Sequence, residues 1–142
     1  MRTQTLAIAL LCWTGVIQAQ GAAPPTPVAV VTQNVQTFNR HDLDAYMALH
    51  ADTMLFMGLG DTVAHHVIIR EGRPLVAKLF ADNPHLQARN VTVSVTGPFV
   101  ITHEHGTGYA DGRTTDNLEV YEVVGGKIVA EWQIPAASGA HW

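Results

Sequence analysis

The chain has 142 residues, 47% of them apolar, with one cysteine, eight histidines and a formal net charge of −4 at pH 7. That length fits one domain. No basic cluster appears, which argues against nucleic acid or an anionic membrane surface as a partner.

The first residues read as an address. Arg2 gives a positive start, Leu6–Ile17 is a 12-residue apolar run, and Ile17-Gln18-Ala19 is an acceptable cleavage site. This is the layout of a secretory signal peptide over residues 1–19, so the expected location is periplasmic or secreted. Cys12 lies inside the segment, so the mature chain is expected to lack disulfides, thiolate nucleophiles and Cys-ligated metals. No later apolar run is long enough for a membrane helix, so no membrane insertion is expected after cleavage. Residues 20–27, ending in Ala-Pro-Pro-Thr-Pro, read as a stiff linker before a domain at 28–136 and a tail at 137–142.

Val28–Asn39 carries apolar residues at 28, 30, 31, 35 and 38, an amphipathic helical spacing. Asp42 caps a second helix on which Ala45, Tyr46, Ala48 and Leu49 pack. Met54–Gly58 and Ala64–Ile69 are strand candidates around Gly60-Asp61, and Glu71-Gly72-Arg73-Pro74 opens a third helix with Pro74 in its first turn. From Val91 onward the pattern is all strand: Val91–Thr96, Phe99–Gly108, then a hairpin across Thr115–Pro135. Helices followed by an antiparallel meander predict an α+β fold with the helices on one sheet face.

The hairpin is the most informative stretch. Leu118, Val120, Ile128, Ala130, Trp132 and Ile134 form an apolar row that alternates with Asn117, Glu119, Tyr121, Val129, Glu131 and Gln133. A three-residue loop, Val124-Gly125-Gly126, sets Glu119 opposite Glu131; a two-residue loop sets Glu119 opposite Trp132. In the first register two carboxylates lie side by side and cannot both ionise cheaply, which suits general acid/base work.

The segments FNRHDLDAYMALHADTMLF, REGRPLVAKLF and LEVYEVVGGKIVAEW, in this order, resemble the nuclear transport factor 2-like superfamily and its SnoaL-like, polyketide cyclase-like branch. The likeness covers about Val28 to Pro135. It is most specific at Glu119, Tyr121, Gly126-Lys127-Ile128 and Trp132. It implies a cone of helices packed on a curved antiparallel sheet, a pocket at the mouth, a small-molecule substrate or ligand, no cofactor, and a homodimer through the outer sheet face. The resemblance also implies differences. Ketosteroid isomerases of the superfamily carry a tyrosine and an aspartate where Asn34 and Gly58 stand, while their second pocket acid falls on Glu119. Cyclase-like members often have histidine and aspartate at the places of Glu131 and Gln133.

Glu119 and Glu131 are therefore the expected acid/base pair. His103 and His105, two apart on one strand, share a side and are expected to assist as catalytic residues. Tyr46, His66, Asn117, Tyr121 and Gln133 are the expected substrate-binding residues. No metal ligand set is assigned, since nothing at metal spacing follows the two histidines. The sequence reading is a cofactor-free cyclase, isomerase or dehydratase acting on a small apolar substrate. Its rivals are a non-catalytic ligand-binding module of the same fold and a metal protein built on His103 and His105.

Overall fold

In the computed structural model the described residues are 23–136. The expected signal peptide at residues 1–19, with Cys12, and the expected tail at 137–142 lie outside them. Three helices, α1 (Pro27–Asn39), α2 (Leu43–Ala48) and α3 (Ile69–Asp82), pack on one face of a curved six-stranded sheet. The strands are β1 (His50–Met57), β2 (His65–Ile68), β3 (Gln87–Thr96), β4 (Phe99–Thr107), β5 (Thr115–Val124) and β6 (Lys127–Pro135), in the order β2-β1-β6-β5-β4-β3. β1 and β6 run parallel; every other neighbouring pair is antiparallel.

Thr26 starts α1, its hydroxyl accepting from the Ala29 amide at 3.3 Å, with Pro27 in the first turn where its missing N–H costs nothing. The buried face of α1 is Val30, Val31, Asn34 and Thr37, and Val28 is exposed instead. Two polar residues thus replace apolar ones on the face that meets the sheet. Thr37 donates to the Asn34 carbonyl at 2.9 Å, so its hydroxyl is satisfied within the helix.

His41 takes a left-handed φ of 53°, which turns the chain out of α1 and into α2. Asn39 then acts as a short strand edge: its side chain donates to the Ala88 carbonyl at 2.8 Å and accepts from the Ala88 amide at 2.7 Å. These bonds tie the end of α1 to β3.

The core lies between α1 and the middle of the sheet. Val30 and Val31 meet Leu49, Met54, Val100, Tyr121, Val123 and Ile128 there. Several boundaries differ from the periodicity. β1 starts at His50 and β3 at Gln87, four residues before each strand's first strongly apolar stretch. α3 begins at Ile69, which puts Pro74 inside the helix and removes the bond its N–H would have made to the Arg70 carbonyl.

The hairpin register corrects both loop readings. Val124 pairs with Lys127 across a two-residue turn, Gly125 (φ 58°) and Gly126 (φ 79°), the two positive φ values a type I′ turn demands. A bulge follows: Val123 pairs with Ile128 but Glu122 with Ala130, leaving Val129 as an extra residue on β6. Glu119 therefore pairs with Gln133, and Tyr121 with Glu131. The extra residue restores parity, so the two glutamates share the inner face as diagonal neighbours rather than opposite partners. It also moves Ile128 from the expected apolar row into the core.

Candidate active site

The inner faces of β4, β5 and β6 converge on a group of acids beneath the helices. Glu119 is 3% exposed and Glu131 4%. β4 contributes Glu104, which pairs with Asn117 and hydrogen-bonds the Glu119 side chain. Tyr121 donates its hydroxyl to Glu119 Oε2. Gln133 donates from Nε2 to Glu131 Oε1 at 2.7 Å.

β1 adds a histidine from the other side. His50 Nδ1 lies 3.0 Å from the Tyr46 carbonyl oxygen. A carbonyl only accepts, so Nδ1 carries the proton and Nε2 presents its lone pair. That lone pair faces Glu131 Oε2 at 3.9 Å. Tyr46 stacks at an angle on the same ring, with centroids 4.8 Å apart.

Burial sets the protonation states. It pushes Glu131 up to about 8, with the neighbouring Glu119 charge adding to the effect and the Gln133 hydrogen bond opposing it. Burial pushes Glu104 up to about 9, aided by the charges of Glu119 and Glu131. Glu119 is also raised by burial, but the donors Tyr121 and Glu104 favour its ionised form. His50 is lowered to about 4 by desolvation, so its ring is neutral. Near neutral pH Glu104 and Glu131 keep their protons, and Glu119 is the member of the group whose neighbours favour its ionised form. This is a base and an acid on one sheet face.

Two adjoining cavities open onto these groups. The larger, about 630 Å³, is mainly apolar, walled by Phe38, Met54, Phe56, Ile69, Val76 and Leu79. The smaller, about 250 Å³, is polar and is lined by Asn34, Glu104, Asn117, Glu119 and Tyr121, with Tyr109 and Arg113 also on its wall. Tyr46, Glu131 and Gln133 border both. Glu131 stands at the junction, with mainly apolar walls on one side and polar ones on the other.

The expected site residues divide by strand parity. Glu119, Glu131, Tyr46, Asn117, Tyr121 and Gln133 are brought together. His103 and His105 are not: on β4 the inner positions are Val100, Thr102, Glu104 and Gly106, so both histidines face the other side. There His103 Nε2 and His105 Nδ1 share Asp116 Oδ1, at 3.1 and 3.0 Å. They hold Asp116 below its ordinary value, the His105 hydrogen bond contributing most. Among the described residues no group of three or more His, Cys, Asp or Glu is arranged to hold a metal ion. His66 sits exposed on the edge strand at the rim of the larger cavity, paired with Leu55, while Val67 beside it packs on the core.

Sequence reasoning missed Glu104, His50 and Asn34. Signals pointed to the first two. Glu104 lies between two histidines, and strict alternation puts it opposite them. His50 follows Tyr46 by four residues, the spacing that stacks side chains on one helical face.

The SnoaL-like domain family matches residues 31–131. The chain belongs to that family. Among solved structures, an uncharacterised cystatin-fold protein of Novosphingobium aromaticivorans shares 21% identity at a TM-score of 0.68, covering 78% of this chain and 98% of its own. IdmH of Streptomyces antibioticus, a candidate polyketide cyclase, shares 21% at 0.65, covering 78% and 91%. An LEH-like epoxide hydrolase of Mycobacterium tuberculosis shares 14% at 0.67, covering 78% and 82%. These likenesses are of fold. No curated protein matches the chain by sequence.

Proposed function

We propose that this SnoaL-like protein is a cofactor-free acid/base enzyme, of cyclase, isomerase or dehydratase type, acting on a small and mainly apolar carbonyl compound. The observation that carries the reading is the position of Glu131: a buried acid, pushed up to about 8 by that burial, where the apolar chamber meets the acidic one, diagonal to Glu119. With the apolar body in the larger chamber, Glu119 takes a proton from the carbon next to the carbonyl. Glu131 gives its proton to the carbonyl oxygen. The resulting enol has three exits: attack on a second carbonyl, a shifted double bond, or loss of a β-hydroxyl. Gln133 holds the Glu131 carboxyl, with the neutral His50 ring beside it, and Tyr121 and Glu104 hold Glu119.

An enolisable apolar ketone, 2-decalone, tests this. Purified protein in D₂O should load deuterium beside the carbonyl about 100-fold faster than Glu119→Gln. Equal rates, with 2-decalone bound, would favour a non-catalytic binding module.

The same reading includes export after Ala19 and a homodimer. The outer sheet face supports the second point: Leu118, Val120, Trp132 and Ile134 form an apolar row there with Phe99 and Ile101, and Ile134 is 40% exposed.

A further inference from the structure

The polar chamber is built for more than proton transfer. Asn34 lines it from α1, 4% exposed, and its Oδ1 has no hydrogen-bond partner among the described residues. Buried acceptors without partners are rare and costly, and in a polar cavity ordered water satisfies them. The chamber has room for several waters, each about 30 Å³ in the liquid. Its lining is also more polar than that of the larger chamber. An enzyme that only shuffles protons on an apolar substrate gains from a dry site. Here a polar compartment with an unpartnered buried acceptor opens directly onto the acid/base pair.

We propose that water held by Asn34 Oδ1 and Glu119 in the polar chamber is a reactant, so that the enzyme adds water to, or removes it from, an apolar carbonyl compound. The inference rests on the acid/base reading and names the second substrate of the same site. One water proton points to Asn34 Oδ1 and the other to the Glu119 carboxylate, which turns an oxygen lone pair toward the junction at Glu131. In the addition, Glu119 takes that proton and the water oxygen bonds to the electrophilic carbon. The π pair moves onto the carbonyl oxygen, which receives the Glu131 proton. The product is the hydrate, and the reverse sequence expels water. Glu119 and Glu131 have then exchanged roles, and one proton passes between them through the remaining chamber water to reset the site.

One probe separates this from the reading beneath it. In H₂¹⁸O, reversible hydration of 2-decalone exchanges its carbonyl oxygen, whereas enolisation exchanges only the neighbouring hydrogens with D₂O. Mass spectrometry follows both. Wild-type protein should accelerate both exchanges above buffer. In Asn34→Leu, the ratio of oxygen to hydrogen exchange should fall about tenfold, the loss of one hydrogen bond to a reacting group. Accelerated deuterium exchange with oxygen exchange at the buffer rate would overturn the water proposal and leave the acid/base reading standing. Neither exchange accelerated would overturn both. An unchanged ratio in Asn34→Leu would remove Asn34 from the role. The wild-type ratio does not depend on any variant folding, and Asn34→Ser supplies a second, smaller acceptor that should restore part of it.

Discussion

Glu131 should make the protein less stable as pH rises through neutrality. Its carboxyl titrates near 8 in the folded chain against 4.5 for the ordinary group. Below 4.5 the folded and unfolded chains both carry the proton, and the group favours neither. Between 4.5 and 8 the unfolded chain releases the proton while the folded one keeps it, so stability falls by about 1.4 kcal/mol per pH unit. Across the window the loss is several kcal/mol, carried by Glu131 together with the Glu119 it is coupled to, a large share of a typical domain's roughly 5–15 kcal/mol. Glu131→Gln removes the titration and keeps a neutral amide of the same shape. The variant should therefore match wild type within about 1 kcal/mol at pH 5, and exceed it by several kcal/mol at pH 8. Urea unfolding at pH 5, 6, 7 and 8 measures this directly. Parallel stability curves for the two proteins would mean that Glu131 titrates like a solvated acid, and the base-and-acid assignment would fall with it.

Turnover should decline above about pH 8, where Glu131 loses its proton, and a pH–rate profile flat to pH 10 would contradict its role as acid. Asp116→Ala acts on the outer face, so it should leave 2-decalone binding unchanged by calorimetry while freeing both histidines from their shared oxygen. Asn39→Ala removes two bonds to Ala88 and should cost about 1–3 kcal/mol in thermal unfolding. Trp132→Asp, on the outer row, should turn a dimer into a monomer by light scattering, and wild type running as a monomer at micromolar concentration would reject the dimer. Intact mass of protein from the host's envelope fraction should correspond to a chain starting at Gln20.

The order of elements was readable because periodicity and turn residues agree along most of the chain: Asp42 as a cap, Gly125-Gly126 as a turn, alternation on β4, β5 and β6. What could not be read was parity. A one-residue slip moves every side chain to the other face. The bulge at Val129 is such a slip, and no turn residue announces it. On β4 the apolar residues Phe99 and Ile101 are in phase with the histidines, which suggested an inward face. The core instead takes Val100, and Thr102, Glu104 and Gly106 follow it. The polar residues Asn34 and Thr37 on the buried side of α1 were passed over for the same reason: amphipathicity scores apolar spacing and has no place for a polar residue that faces a wet cavity.

Stability alone does not account for the inner face of the hairpin. Replacing buried charged or polar groups by apolar ones of similar volume is often neutral or stabilising. Leucine or methionine at 104, 119 and 131 would fill the same space beneath the helices. Instead the fold buries two acids whose protons are held far above their ordinary range, and a third, also raised by burial, whose ionised form two donors favour. The surroundings of these acids are matched to them rather than merely tolerant. Gln133 and Tyr121 each lie two residues from the acid they bond, on the same strand face. The His50 ring is fixed by the Tyr46 carbonyl so that its lone pair meets Glu131. A site that costs stability and is supported from β1, β4, β5 and β6 is where a trade of stability for chemistry is expected. The test is a triple substitution, Glu104→Leu, Glu119→Leu and Glu131→Leu. It should raise the melting temperature at pH 8 and abolish both exchange reactions of 2-decalone. A melting temperature that falls instead would show that the acids serve the fold.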